Sequence, residues 1–393
     1  MVERMLQTGR SLKNAADTDV AVLLSAGIDS SIVPELLMRR GYPRERMKAF
    51  RFKLWAPEPD EAVECRERFE MQDAKEIADH YGIEFFPLYW EKIVYDAVFG
   101  PAFDQYFLGA TPNPDMSCND RIKFGIFAEY ALNRLGARSI ATGHHVRRRD
   151  NPFRLLVGKD PNKDQSYFLG TTKRDVLART LFPVGEFLKD AEVRAMAREF
   201  GIPKKIQDKR SSRDWCFVAK RQSEKDTDPA KFTLDELLRA EGARRGKVFS
   251  PGPIFDEQGQ EVGTHNGVML YAATIGQKVG FKDGFGVPGG NGRKYVVGRN
   301  ISTNSLSVAS AQPASSRVVV RNLNWLVEEK PSFPLRCLGK IRTPSKAAPL
   351  RAELVGDDEM HVVFDEPQTA PALGQACVLY DGEMVLGGGT IVN

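Results

Sequence analysis

The strongest constraint on the fold is an alternation of short apolar runs with helical stripes through the first half of the chain. Residues 19–24 read as a short buried strand, Ser25-Ala26-Gly27-Ile28 supply a turn, and Asp29 with Ser30 cap a helix running toward Arg40 before Gly41 stops it. Residues 47–53 make a second strand. Phe69, Ala74, Ile77, Ala78 and Tyr81 form a helical stripe ending at Gly82, and 83–88 resume the strand pattern. Phe124, Phe127, Ala128, Ala131, Leu132 and Leu135 mark another amphipathic helix, closed by Gly136 and followed by a strand at 139–142. Such alternation predicts an α/β fold: a parallel sheet covered by helices, with ligands beyond the carboxyl ends of the strands. Residues 25–30 and 142–145 belong at that edge.

After about residue 222 the texture changes, as Gly and Pro become frequent and β-type runs such as 294–297, 317–320 and 361–364 take over. The predicted organisation is a parallel-sheet domain over 1–222, a small central module over 223–291 and a C-terminal β-barrel over 292–393. With 42% hydrophobic and 27% charged residues the composition is that of a globular chain, and no apolar run approaches the length of a membrane helix. A net charge of +4 argues against a uniformly basic nucleic-acid coat but permits local basic faces. Basic residues cluster at Arg147 to Arg149, at Lys204, Lys205, Lys209, Arg210 and Arg213, and at Lys340 and Arg342. Cysteines at 65, 118, 216, 337 and 377 are odd in number and widely spaced, the pattern of reduced cytosolic thiols. The expected compartment is the cytoplasm; Arg4, Arg10 and Lys13 leave a short mitochondrial or plastid targeting remnant as the alternative, and residues 1–16 are expected to be a disordered lead-in.

Ser25 to Ser31 bring small residues, backbone amides and hydroxyls to a helix start, where a phosphate is stabilised by oriented N–H donors. Asp29 would repel phosphate directly, so it holds Mg²⁺ between pyrophosphate oxygens or orients the loop. Neither a Walker A lysine nor a dinucleotide fingerprint is present. Thr111 to Asn119 form a proline-punctuated segment that delivers Asp115 and Cys118 just ahead of a helix. A thiol there gains thiolate character from the helix start, and the nearby carboxylate opposes that gain. Cys216 lies between basic and aromatic neighbours, and spacing alone does not pair it with Cys118. Gly143-His144-His145 lacks a third metal ligand, so Gly143 reads as a place where a nucleotide approaches the backbone. Lys163 to Phe168 offer donors and an aromatic for RNA, or a solvated loop entering a helix.

The loop 25–30 resembles the pyrophosphate-binding loop of the PP-loop ATP pyrophosphatases, with Ala26 in place of a glycine. Taken together, SAGIDSS, TPNPDMSCNDRIKFG, ATGHH, KDQSYFLG, LFPVGE, CFV, FDEP and LGGG look like the tRNA-specific 2-thiouridylase family along nearly the whole chain. The resemblance implies a PP-loop (adenine nucleotide alpha hydrolase-like) catalytic domain that binds ATP through Leu23, Leu24, Ser25, Ala26, Gly27, Ile28, Asp29, Ser30, Phe52 and Gly143. It implies that Asn113, Pro114 and Asp115 hold the wobble uridine of a tRNA anticodon, with further tRNA contacts at Lys163, Asp164, Gln165, Arg342 and Thr343. Adenylation of the uridine C2 oxygen would make AMP a leaving group, with Mg²⁺ accompanying ATP. Cys216 would carry a persulfide sulfur from a cysteine desulfurase or relay protein, and Cys118 would complete the exchange, with Asp115 as acid or base. A less favoured variant places an iron-sulfur cluster on Asp115, Cys118 and Cys216.

Two departures from the family pattern bear on chemistry. Arg213-Asp214-Trp215 precede Cys216 where the family carries small residues, setting one charge for and one against a thiolate and adding bulk. Arg342-Thr343 lacks the family's aromatic stacking surface. The competing functions are a PP-loop ligase that adenylates another carbonyl and a tRNA-binding paralogue with impaired sulfur transfer.

Overall fold

The computed structural model describes residues 18–53, 61–209, 233–279, 294–343 and 345–393. The predicted lead-in at 1–16, Cys216 with its 211–217 approach, and parts of the expected central module (223–232 and 280–291) lie outside them.

The first sheet is built from β1 (Val20–Leu23), β2 (Met47–Phe52), β3 (Glu84–Leu88) and β4 (Ser139–Ala141), with a later short strand, Thr180–Leu181, at its edge. Its order is β3-β2-β1-β4 and then Thr180–Leu181, every pairing parallel. Val20, Ala21 and Val22 are fully buried, as a strand covered on both faces requires. Because β2 and β3 follow β1 on one side and β4 lies on its other side, the strand order reverses between β1 and β4. Ligands of doubly wound sheets bind at that reversal, so residues 24–30 and 142–145 stand at the expected edge.

One local expectation fails. The helix read from Asp29 toward Arg40 is two pieces, Ile28–Ser31 and Val33–Met38, with Ile32 between them and Pro34 at the start of the second. Proline lacks the N–H that a continuous helix needs and is tolerated in a first turn, so the segment restarts at Val33.

A hairpin of β5 (Val146–Arg149) and β6 (Arg154–Val157) leaves β4, and β7 (Thr180–Leu181) is the edge strand already placed. The central unit carries β8 (Gly252–Phe255), β9 (Glu261–His265), β10 (Lys278–Val279), β11 (Lys294–Asn300) and β12 (Ser305–Ala309) in the order β10-β11-β12-β8-β9. The division expected at residue 292 puts β11 and β12 in the last domain. Their hydrogen-bond partners are β10 and β8, and the next unit starts with β13.

That unit comprises β13 (Ala314–Trp325), β14 (Leu335–Lys340), β15 (Ala348–Val355), β16 (Glu359–Thr369), β17 (Ala376–Asp381) and β18 (Met384–Ile391). The order β13-β16-β15-β14-β17-β18 closes through β13–β18 into an antiparallel barrel, which removes the sheet edges. Alternate residues Met360, Val362 and Phe364 of β16 point into its core. The LGGG run lies in β18: a Cβ on Gly387, which has φ +141°, would fall 2.1 Å from the Asn324 carbonyl oxygen. The barrel is also joined to the first domain, because Met384 of β18 pairs with Leu156 of β6 and Val157 N–H donates to Glu383 O at 2.9 Å.

Candidate active site

Leu23 and Leu24 end β1 as buried residues, and the turn beyond them is tied by its own hydroxyls. Ser30 Oγ accepts from Ser25 N–H at 3.1 Å, lies 3.0 Å from Ser25 Oγ and donates to Gly27 O at 3.1 Å. Ala26 sits at φ +58°, a left-handed conformation that costs a residue with a Cβ about 1–2 kcal/mol. This is the position where the resembling loop carries glycine. Gly143, past the end of β4, packs directly on the loop: a Cβ there would lie 2.7 Å from Ser30 N and 2.9 Å from the Asp29 carbonyl carbon.

Asp29 is held from two sides. His145 Nε2 is 3.0 Å from Oδ1, and Lys189 Nζ is 2.5 Å from Oδ2. A carboxylate only accepts, so Nε2 carries the proton of that contact. Burial alone would raise the Asp29 pKa; the hydrogen bond from His145 and the charge of Lys189 outweigh it and hold the carboxyl below the usual aspartate value. His145 is itself fixed by Gln165, whose Oε1 accepts from the His145 N–H at 2.8 Å and whose N–H donates to the His145 carbonyl at 3.1 Å. The Lys189 ammonium at 2.5 Å already balances the charge of the Asp29 carboxylate and would repel a second cation there, so the arrangement disfavours a Mg²⁺ held by Asp29. Among the described residues no group of three His, Cys, Asp or Glu side chains is placed to hold a metal. His144 faces the other way, 2.8 Å from Thr142 Oγ1 and between the rings of Phe124 and Phe182. Burial, reinforced by Lys123 and His145, pushes its pKa well below the ordinary histidine value.

The proline-punctuated loop is clamped by all three units. Asn113 Oδ1 caps the helical turn Pro114–Ser117 by accepting from Met116 N–H at 3.2 Å. The barrel side holds Thr111 N–H through Leu373 O at 2.8 Å, and Gln375 Nε2 donates to Thr111 O at 2.7 Å. From the central unit, Arg299 Nη2 donates to Thr111 Oγ1 at 2.9 Å. Cys118 opens the following helical segment, Cys118–Ile126. The expected thiolate gain at a helix start is overridden: burial pushes the Cys118 thiol up, Lys123 opposes the shift and Asp115 adds to it.

The segment 165–172 touches both halves of the site. Gln165 steadies His145 as described, Asn119 Nδ2 donates to Phe168 O at 3.2 Å, and Thr171 and Thr172 donate to the two oxygens of Asp120 at 2.7 and 2.6 Å. Tyr167, fully buried, donates to Ala376 O of the barrel at 3.0 Å. Asp164 accepts from Gly158 N–H, Ser166 N–H and Ser166 Oγ, so its carboxylate and the Gln165 amide serve internal bonds, while Lys163 is half-buried. Phe52, at the carboxyl end of β2, stacks on Trp90 with ring centres 6.3 Å apart. Arg342 is half-buried and Thr343 exposed on the barrel. Some of the basic clusters are neutralised within the fold: Arg147 meets Glu383, Arg149 meets Glu186, and Lys205 meets Asp73 and Glu76. Lys189, Arg299, Asp120 and Gln375 were not singled out from the sequence. Asp120 lies inside the quoted TPNPDMSCNDRIKFG run and Lys189 three residues past LFPVGE, so these two carried a local signal.

Three family models match this chain: tRNA methyl transferase HUP domain over 18–220, tRNA methyl transferase PRC-barrel domain over 244–310 and aminomethyltransferase beta-barrel domain over 315–391. The chain is 37% identical over 375 residues to the tRNA-specific 2-thiouridylase MnmA of Pasteurella multocida (strain Pm70), covering 94% of this chain and 91% of the relative. It belongs to the tRNA-specific 2-thiouridylase family. A second relative of that name, from Yersinia pestis (strain Pestoides F), is 36% identical over 378 residues, 95% of each chain. The matched ranges of this thiouridylase-family chain follow its three sheets, with β11 and β12 inside the central match. Among solved structures, NMN synthetase from Francisella tularensis aligns with 62% of this chain and 89% of its own at 17% identity and a TM-score of 0.31. A predicted tRNA methyltransferase subunit from Methanocaldococcus jannaschii aligns with 59% and 89% at 16% identity and a TM-score of 0.30. Both overlaps are too slight to bear on the site.

Proposed function

We propose that this chain is an ATP-dependent tRNA-uridine 2-sulfurtransferase acting on the wobble uridine of the anticodon stem-loop. The observation that carries the reading is the convergence of two loops on one segment: residues 165–172 bond both to the nucleotide-type loop through His145 and to the helix that bears Cys118. Full-length similarity to the 2-thiouridylases supports the choice of substrate.

ATP is assigned to the 24–30 edge, a reading supported by the position of that loop beyond β1, where the strand order reverses. An amide-like carbonyl is a poor electrophile, so the uridine C2 oxygen first displaces pyrophosphate from the α-phosphate, and AMP becomes the leaving group. The terminal sulfur of a Cys216 persulfide then attacks C2 and expels AMP. Cys118 thiolate attacks Cys216 Sγ to form the Cys118–Cys216 disulfide, and the bond between Sγ and the sulfur on C2 breaks with its electron pair going to that sulfur, which becomes the thiocarbonyl. Asp115, three residues before Cys118, is the group assigned to take the thiol's proton. Asn113 and Pro114 frame the target base, while Lys163, Arg342 and Thr343 contact the tRNA. A cysteine desulfurase or relay protein supplies sulfur, and the cytoplasm is the place of action. Among the described residues no helix is long and apolar enough to cross a membrane.

The test supplies the full chain with tRNA, ATP and a persulfide donor and quantifies 2-thiouridine by nucleoside mass spectrometry. Product that requires ATP and falls by more than about 10²-fold in both Cys118→Ser and Cys216→Ser is the expected result. Intact protein that yields none, or ATP–pyrophosphate exchange driven by a small molecule without tRNA, overturns it.

A further inference from the structure

The clamp on Asp29 spans three distant stretches of sequence. Lys189 approaches from the helical segment Lys189–Val193, which follows the LFPVGE stretch, and is itself 6% exposed. His145 comes from the turn after β4, and Gln165 stands behind it. Lys189 is fixed at its backbone as well, since its N–H donates to Asp160 Oδ2 at 3.0 Å. An ammonium is removed from water at a cost that only a close, well-aligned counter-charge offsets, and Asp29 Oδ2 at 2.5 Å is that counter-charge. The carboxylate belongs to the short helix Ile28–Ser31, whose neighbour Ser30 ties the loop to Ser25 and Gly27. Asp29 thus ties a loop that is held internally by Ser30 to Lys189 and His145, and Lys209 Nζ adds a bond to Ala26 O at 3.0 Å.

Resting on the reading that this loop binds ATP, we propose that Lys189 and His145 are positioning residues for the nucleotide. They fix Asp29 as the anchor that aims the loop, and Asp29 acts through that anchor and not as a metal ligand. The two roles for Asp29 make opposite demands. A magnesium ligand needs a carboxylate whose charge is not already balanced by an ammonium, and it matters only when the ion is present. An anchor uses both oxygens within the protein and matters for nucleotide binding with or without the ion. The anchor role also makes Lys189 and Asp29 one functional unit, so their removal is not additive.

The experiment measures ATP affinity of the full chain by calorimetry, once with Mg²⁺ and once with EDTA, for the unaltered protein, Lys189→Met, Asp29→Asn and the double variant, with thermal unfolding alongside. Lys189→Met is expected to raise the ATP Kd roughly tenfold, about 1.4 kcal/mol, in both buffers. The double variant is expected to be no weaker than the worse single variant, and to unfold at a higher temperature than Asp29→Asn, which leaves the ammonium buried and unpaired. Gln165→Ala, a neutral change one contact further out, is expected to weaken ATP by a few-fold if the charged variants fold poorly. An Asp29→Asn loss confined to the Mg²⁺ buffer, or a Lys189→Met Kd within twofold of the unaltered protein, overturns the anchor. Absence of ATP binding in the unaltered protein overturns the function itself, so the two failures are told apart.

Discussion

At the scale of single residues the site contrasts with what residue types alone suggest. Cys118 follows a capped turn at a helix start, the setting that lowers a thiol pKa, yet burial pushes it the other way. Burial and the nearby Asp115 thus favour the neutral thiol. His144 is the second case. The pattern GHH suggested a metal ligand only weakly, and the structure puts the ring in an apolar wedge where its proton is disfavoured. The folded pKa lies below the unfolded value near 6.5, so below that pH the unfolded chain binds more protons. His144 thus contributes stability that is present above about pH 6.5 and lost as pH falls, with a slope approaching about 1.4 kcal/mol per pH unit. Denaturant unfolding between pH 7.5 and 5.5 should show a smaller loss for His144→Asn than for the unaltered chain. An unchanged slope would remove His144 from that account.

Elements bring a different lesson, about which relations are local. The parallel sheet and its reversal between β1 and β4 were legible because strand and helix periods are written in consecutive residues. So was the special status of position 26, where a left-handed backbone explains why glycine is the expected occupant. The restart at Val33 shows a local signal, Pro34, overruling a stripe that looked continuous. The Asp29–Lys189 contact spans 160 positions, and no period or spacing predicts such a pair. Membership of β11 and β12 was hidden for the same reason: a strand's own residues announce that it is a strand, while its partner is chosen by the packing of the whole unit. Gly143 belongs to this scale, since its lack of a side chain lets the segment after β4 touch the 25–30 loop. Gly143→Ala must push the loop away by several tenths of an ångström, and the ATP Kd should rise about tenfold while thermal stability falls by a smaller proportion. Calorimetry that finds ATP affinity unchanged would mean the loop is not the nucleotide site.

On the scale of the whole molecule, three units meet at Thr111. Arg299 is the central unit's contribution, donating to Thr111 Oγ1 and to Tyr271 O at 3.2 Å, and burial lowers its pKa. Arg299→Met removes both bonds and should cost about 1.5–3 kcal/mol in stability. Its distinctive signature is kinetic: turnover for tRNA thiolation should fall while the ATP Kd stays within twofold, because its two bonds run to Thr111 and Tyr271 and not to the 24–30 loop. Equal losses in both would show that the two halves of the site move together.

The hold of the barrel on the Thr111 loop also has a consequence in time. Gln375 reaches back across 264 positions to the Thr111 carbonyl, so a ribosome finishes the parallel sheet long before the residue that fixes the thiol-bearing loop exists. Domains fold as they emerge, amino-terminal first. A half-made chain would hold a formed parallel sheet beside a Thr111 segment still lacking its bonds to Gln375 and Leu373, which form only once the barrel closes.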